Sequence, residues 1–408
     1  MKPVDEHIAD CLAAVGRTEP VDVPVLDALD LVLAEDIVSA VALPGFDNSS
    51  MDGYAVRLPD VATASRARPV VLPVCADLPA GTTLPAPLVP GAAARIMTGA
   101  PVPDDTDAVV PVEWTDGGTV TVSITKAPAA GQFVRRIGED VRAGEPVLSA
   151  GTRLSPRQIA LLAAVGRAAV RVHPAPRVVV ISSGSELTAP GGTLAPGRIY
   201  DANGYGLVAA ARELGAPARH AGIVPDDAEA VRAALEAALV DADLVITSGG
   251  VSAGAYDTVK AVLRDVGTVR FEKVAMQPGM PQGFGVLGPR QVPIFTLPGN
   301  PVSSLVSFEV FVRPALRKLA GEWSLHRPTV TAVAGRAWSS SPGKRQFVRV
   351  RLETAEDGRA VVTPVGGQGS HLVADLAAAT CLAVVPEAVT AVEVGRPLTC
   401  MLLERGRR

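Results

Sequence analysis

Val178-Val179-Val180-Ile181-Ser182-Ser183-Gly184 is the stretch that decides the fold. A short apolar run that ends in small hydroxyl residues and glycine reads as a strand buried on both faces, leading into a tight loop. Outward from it the pattern repeats. Leu207, Val208, Ala211 and Leu214 recur at helical spacing and Gly215 closes them. Ala230, Val231, Ala234, Leu235, Ala238 and Leu239 form the next helical face, with Asp226, Asp227 and Glu229 at its start. Leu244 to Thr247 and Ile294 to Leu297 are further apolar runs. From Pro176 to Leu319 the chain therefore predicts a parallel sheet covered on both faces by helices. In such sheets ligands bind outside the carboxyl ends of the strands.

On either side of this block the period changes. Val4 to Val15 places Ile8, Cys11, Leu12 and Val15 on one helical face, with Asp5 and Glu6 near its start and Gly16 after it. From Pro44 to Glu145 short strands alternate with Pro, Gly and Asp, and a helix returns at Ser155, with Pro156 suited to its first position. Beyond Pro328 the period is two: Val348, Val350 and Leu352 share one face, and Arg349, Arg351 and Glu353 the other. The expected class is multi-domain α/β plus β. Residues 1–45 and 146–174 form a linker and helical domain, 46–145 a small β-rich domain, 175–323 the α/β domain and 324–408 an antiparallel β domain.

A formal net charge of −4 leaves no general nucleic-acid surface, because phosphate neutralisation needs clustered Lys and Arg. Met1 to Asp10 carries three acids and no apolar core, unlike a signal peptide, and no apolar run reaches membrane-spanning length. Cys11, Cys75, Cys381 and Cys400 are scattered without a C-x-x-C pair, so they read as small packing residues in a reducing, cytoplasmic setting.

Three loops at strand ends could carry chemistry: Ser182-Ser183-Gly184-Ser185-Glu186-Leu187, Ser248-Gly249-Gly250-Val251-Ser252-Ala253-Gly254, and Pro298-Gly299-Asn300-Pro301-Val302-Ser303. Their glycines let backbone N–H groups turn toward an anion, and together they predict an anion or phosphate cleft. Neither the G-x-x-x-x-G-K-[ST] nor the G-x-G-x-x-G spacing occurs in them, which argues against ordinary NTPases and dehydrogenases. Glu186, Asp226, Asp227 and Asp257 accompany the loops. Singly each reads as a cap or a turn former, but beside an anionic ligand they make sense with a bridging hard cation such as Mg²⁺. The five dispersed histidines give no Ser-His-Asp arrangement.

Several segments, in chain order, resemble one known family. They are Pro44-Gly45-Phe46-Asp47-Asn48-Ser49-Ser50-Met51-Asp52-Gly53-Tyr54-Ala55-Val56, Arg95-Ile96-Met97-Thr98-Gly99-Ala100-Pro101-Val102-Pro103, Gly138-Glu139-Asp140, Leu297-Pro298-Gly299-Asn300-Pro301-Val302-Ser303, and Gln368-Gly369-Ser370-His371. The chain resembles the MoeA family, molybdopterin molybdenumtransferases, similar also to the gephyrin E domain. The resemblance implies four domains and an elongated homodimer, with a cleft between the α/β domain of one subunit and parts of the other. It implies insertion of molybdate into adenylylated molybdopterin, with release of AMP, in a Mg²⁺-assisted step, and it allows contact with other enzymes of molybdenum-cofactor biosynthesis.

Carried over by motif, the implied catalytic residues are Asp52, Asp140, Glu186, Asp227, Asp257 and Lys273, with Glu186, Asp227 and Asp257 at the metal. The implied substrate-binding residues are Thr98, Ser248, Gly249, Gly250, Ser252, Pro298, Gly299, Asn300, Pro301, Arg349 and Ser370. Lys273 is expected to point into the cleft, and Arg349 and Ser370 to complete it across the subunit interface. One departure stands out. Many members carry lysines in a K-P-G-K-P-like loop, whereas this chain has Gln277-Pro278-Gly279-Met280-Pro281, and Gln277 can donate hydrogen bonds without neutralising charge. Two rival readings remain. One is a MogA-like molybdopterin adenylyltransferase, whose glycine loop usually reads T-G-G-T-G and whose chains are about one domain long. The other is a non-catalytic gephyrin-like scaffold.

Overall fold

The computed structural model describes residues 1–83, 85–249, 258–266 and 268–403. At its centre six strands lie in the order Ala218–Val224, Val178–Ser183, Leu244–Ser248, Val292–Leu297, Pro281–Leu287, Arg270–Lys273. The first four run parallel, as the sequence predicts. The last two are antiparallel additions, so the sheet is mixed rather than purely parallel. The cause is local: only residues 288–291 separate Pro281–Leu287 from Val292–Leu297, which allows a hairpin but no crossover helix.

Helices cover both faces. Ala202–Glu213 and the continuous run 301–319 pack one side around Val180, Ile246 and Phe295; Ala228–Leu239 and Thr258–Val266 pack the other around Val179, Val245 and Ile294. The run 301–319 passes through a π-helical turn, Phe308–Val312, before Arg313–Leu319. The helix Val4–Ala14 also joins the first of these cores through Val4 and Cys11, beside Phe308 and Phe311. Among the described residues no helix is long and apolar enough to cross a membrane.

The C-terminal strands close on themselves. Arg345–Thr354 pairs with both Ala360–Pro364 and Cys381–Val385, and Pro397–Leu402 bridges Thr329–Ala334 to Cys381–Val385, giving a small barrel. It is antiparallel apart from the pairing of Thr329–Ala334 with Ala360–Pro364. A two-residue strand of the α/β domain, Met276–Gln277, pairs with Arg345 and Gln346 and so stitches the barrel to that domain. Between residues 53 and 124 a five-stranded sheet forms, ordered Ala108–Pro111, Gly53–Val56, Ala93–Ile96, Val70–Leu78, Thr121–Ile124. Val21–Pro24 and Val32–Leu33 flank Ala169–His173, so the chain returns to its earlier strands after that sheet. The helix Pro156–Ala164 begins with the expected Ser155 cap, completed by the side chain of Gln158.

Candidate active site at the carboxyl edge of the sheet

The strand Val178–Ser183 has its successor, Ala218–Val224, on one side and the next strand, Leu244–Ser248, on the other. Helices leaving a sheet at such a reversal diverge and open a crevice. Here a cleft of about 370 Å³ lies at that place, lined by Ser183, Glu186, Tyr200, Asn203, Ser248, Gly249, Gly299, Asn300, Pro301 and His371, among others. Its volume is within the range of small-molecule sites. All three predicted loops reach it. They approach closely: Gly249 has φ +94°, and a Cβ there would stand 2.6 Å from the carbonyl oxygen of Ser183. Pro298, the first residue of the third loop, is buried. Gly250, Ser252 and Asp257 lie outside the described residues.

The turn at 366–371 closes the cleft from the barrel. Asn300 donates its side-chain N–H to Ser370 Oγ at 2.9 Å, and the Val302 amide donates to the Ser370 carbonyl at 3.0 Å. Ser370 therefore meets the α/β loops of its own chain, which replaces the expectation that it reaches them from a second subunit.

On the other side of the same turn lies a hollow of about 180 Å³, lined by Gln277, Trp338, Gln346, Arg349, Gly367 and Gln368 among others. Arg349 is only 5% exposed, so it does not sit on a solvated strand face. The turn covers its end of the strand, whereas Arg351, two residues on, is exposed. Arg349 donates to the carbonyls of Gly369, at 3.1 Å, and Gly367, while its Nε is buried without a partner. Burial pushes its pKa down, although an arginine stays charged at any working pH.

The acids divide. Glu186 is exposed at the cleft wall. Asp227 caps the helix Ala228–Leu239, accepting from the Ala230 amide at 2.9 Å. It is Asp226 that touches the first loop, accepting from the Ser185 amide at 3.1 Å and the Ser183 hydroxyl at 3.3 Å. Among the described residues, no three His, Cys, Asp or Glu side chains gather as a metal-holding group. The cap itself makes a prediction. Asp227→Ala should cost about 0.5–2 kcal/mol of stability, read as a lower chemical-unfolding midpoint; an unchanged midpoint would show that the cap contributes nothing.

Asp52, Thr98 and Asp140 lie outside the cleft lining. Thr98 donates to Asp52 Oδ1 from its amide at 2.7 Å and from its hydroxyl at 2.8 Å, and these bonds hold the Asp52 carboxyl below the usual range. Asp140 is exposed in a loop hollow with Arg136, Glu139 and Arg142. Lys273 is exposed on the edge strand, three strands from Leu244–Ser248, and lines neither the cleft nor the hollow, so it does not point into the cleft within one chain. Its neighbour Gln277 does line the hollow.

Sequence reasoning missed Tyr200, Asp201 and Asn203, which form the cleft wall at the start of the helix Ala202–Glu213. The usable signal was an Asp followed two residues later by an Asn, ahead of an apolar helical pattern.

Family models match nearly the whole chain. The MoeA N-terminal region (domain I and II) matches residues 2–166, a probable molybdopterin binding domain residues 179–318, and the MoeA C-terminal region (domain IV) residues 331–403. A protein named molybdopterin molybdenumtransferase 2 from Mycobacterium tuberculosis is 47% identical over 98% of both chains. A molybdopterin molybdenumtransferase from Haemophilus influenzae is 39% identical over 91% of both. Among solved structures, a molybdopterin biosynthesis MoeA protein from Pyrococcus horikosii superposes with a TM-score of 0.84 at 33% identity, covering 98% of this chain and 99% of the other.

Proposed function

We propose, because this chain belongs to the MoeA family of molybdopterin molybdenumtransferases, that it inserts molybdate into adenylylated molybdopterin and releases AMP. The observation that carries the reading is the double use of one turn. Residues 366–368 line the Arg349 hollow while His371 lines the cleft, with Ser370 bonded to Asn300 between them. A cleft of nucleotide scale thus adjoins a smaller hollow that suits a tetrahedral oxyanion. The Arg349 guanidinium is planar, keeps its charge and retains an unpartnered buried donor, which suits oxyanion binding.

Mg²⁺ belongs to the reading as a proposal. Glu186 of the first loop and Asp226, which accepts from that loop, together with Asp227 and with Asp257 after the second loop, are hard oxygen donors of the kind such an ion takes together with phosphate and water. When bound, the ion would offset repulsion between the pyrophosphate linkage and the incoming molybdate. The protein's own contribution is to hold anions against backbone N–H groups and Arg349, to orient them, and to exclude water between the loops.

We extend the reading to a cytoplasmic homodimer. Within one chain the Asp52–Thr98 pair and Asp140 belong to other parts of the molecule than the cleft, so a second subunit would supply them. Incubating the protein with adenylylated molybdopterin and Mg²⁺, then adding molybdate, should release AMP in proportion to the molybdate consumed. In a parallel incubation with molybdopterin and ATP, formation of pyrophosphate would identify an adenylyltransferase instead. Absence of both reactions would leave the scaffold reading.

A further inference from the structure

We propose that Asn203 is a positioning residue that ties Ser248, where the second loop leaves its strand, to Gly299 of the third loop, and so sets affinity for the adenylylated substrate; this rests on the reading above. The Asn203 side-chain N–H group donates to Ser248 Oγ at 2.7 Å and to the Gly299 carbonyl at 2.7 Å. A carbonyl can only accept, so the amide has one orientation, with nitrogen toward Gly299. Both N–H bonds are thereby spent, and Oδ1 is left buried with no partner. One side chain therefore fixes the spacing of two loops that come from different strands. The next residue, Asn300, carries the connection on to Ser370. Two asparagines in series thus relate the barrel turn to the floor of the cleft.

What holds Asn203 is equally specific. Asp201, 1% exposed, caps the helix by accepting from the Gly204 amide at 2.9 Å. Its other oxygen lies 3.2 Å from His220 Nε2, which is itself 3.1 Å from Ser182 Oγ. No space remains in this group: a Cβ on Gly204 would stand 2.5 Å from both His220 Nε2 and Ser182 Oγ, and 2.6 Å from Asp201 Oδ2. The helix start that carries Asn203 is consequently anchored to the strand Val178–Ser183 from below. A residue that spends this much buried polar structure on the spacing of two glycine loops acts on whatever those loops hold.

The test compares steady-state AMP release by the wild type, Asn203→Ala, Asn203→Asp, and Asn203→Ala combined with Ser248→Ala. Asn203→Ala should raise KM for adenylylated molybdopterin about tenfold or more, with a much smaller change in kcat, because the receptor holds ground and transition states alike. Asn203→Asp, matched in size, should raise it further, since a carboxylate would face the Gly299 carbonyl oxygen and the anionic substrate. Adding Ser248→Ala should then add little, the shared bond being already gone. Unchanged KM in the Ala and Asp variants, or a loss seen only as less folded protein at constant KM, overturns the proposal. Should Asn203→Ala fail to fold, Asn203→Asp decides by the same comparison. If the wild type releases no AMP, the reading of the reaction falls and this inference falls with it, which is a different result from a working wild type with indifferent variants.

Discussion

Glu309→Ala is expected to destabilise the protein by about 3–5 kcal/mol, because it takes the closest carboxylate from two buried arginines and leaves them only the longer contacts of Glu213, 3.6 Å from Arg313 and 3.4 Å from Arg327. Glu309 accepts from Arg313 Nε at 2.5 Å, and from Arg327 Nε at 2.6 Å and Nη2 at 3.0 Å. Arg313 and Arg327 are 4% and 8% exposed, so water cannot take over the role of the acid. Arg327 also donates to the Leu403 carbonyl at 2.7 Å, so the cluster ties the π-helical turn to the end of the barrel. Chemical unfolding followed by circular dichroism would read the loss, and Glu309→Gln, which keeps shape and one acceptor, should cost less. A loss under about 1 kcal/mol, as for exposed pairs, would show that the cluster is solvated.

The same cluster gives a pH dependence. Burial would push the Glu309 carboxyl up, but hydrogen bonds and charge from Arg327 and Arg313 outweigh it and hold the pKa below the ordinary 4.5. A carboxyl whose folded pKa is depressed contributes stability that is fully present above its unfolded value. That contribution is lost as pH falls through the folded value. The difference between wild type and Glu309→Gln should therefore be constant near neutrality and shrink below about pH 4.5.

Arg349→Ala should cut molybdate-dependent AMP release by about a hundredfold or more, the scale of removing a preorganised donor from a closed site. Subunit mixing then tests how the cleft is assembled. Ser370 and Asn300 meet within one chain, so Arg349→Ala and Glu186→Gln damage the same cleft and mixed dimers of the two should stay inactive. Asp52→Asn damages the part attributed to the partner. In a two-fold dimer with two clefts, a random mixture of Arg349→Ala and Asp52→Asn subunits should regain about a quarter of wild-type activity. Recovery in the first mixture but not the second would mean that Arg349 and Asp52 serve one cleft from one chain. Full activity of the Asp52→Asn homodimer would remove Asp52 from the site.

The layout of the α/β core was readable because Val178–Ile181, Leu244–Thr247 and Ile294–Leu297 are largely apolar runs of strand length, each leading into a glycine-containing loop. The antiparallel edge was not read, since it depends on the hairpin after Leu287, which nothing in the parallel pattern announces. Near the cleft, local signals and tertiary covering parted company. Period two correctly put Arg349 and Arg351 on one face, but only the fold shows that the glycine-rich turn buries the first and leaves the second in water. Asp226 and Asp227 are adjacent acids with identical chemistry, and their division into loop contact and helix cap follows from backbone direction at one residue. Local spacing marked Asp201 and Asn203 only as a helix start; the role of Asn203 lies in bonds to Ser248 and Gly299, far away in sequence.

The first helix carries a consequence for how the chain comes into being. Val4–Ala14 packs against Phe308 and Phe311, Asp5 pairs with Arg345 at 2.6 Å, and the Leu12 carbonyl accepts from Lys318 at 2.7 Å. These partners are translated about three hundred residues later. During synthesis the helix therefore waits on the ribosome with an apolar stripe uncovered, while the β-rich sheet and the central strands can fold ahead of it. A segment made well before its partners is thus among the last to dock, and its arrival completes one face of the α/β core.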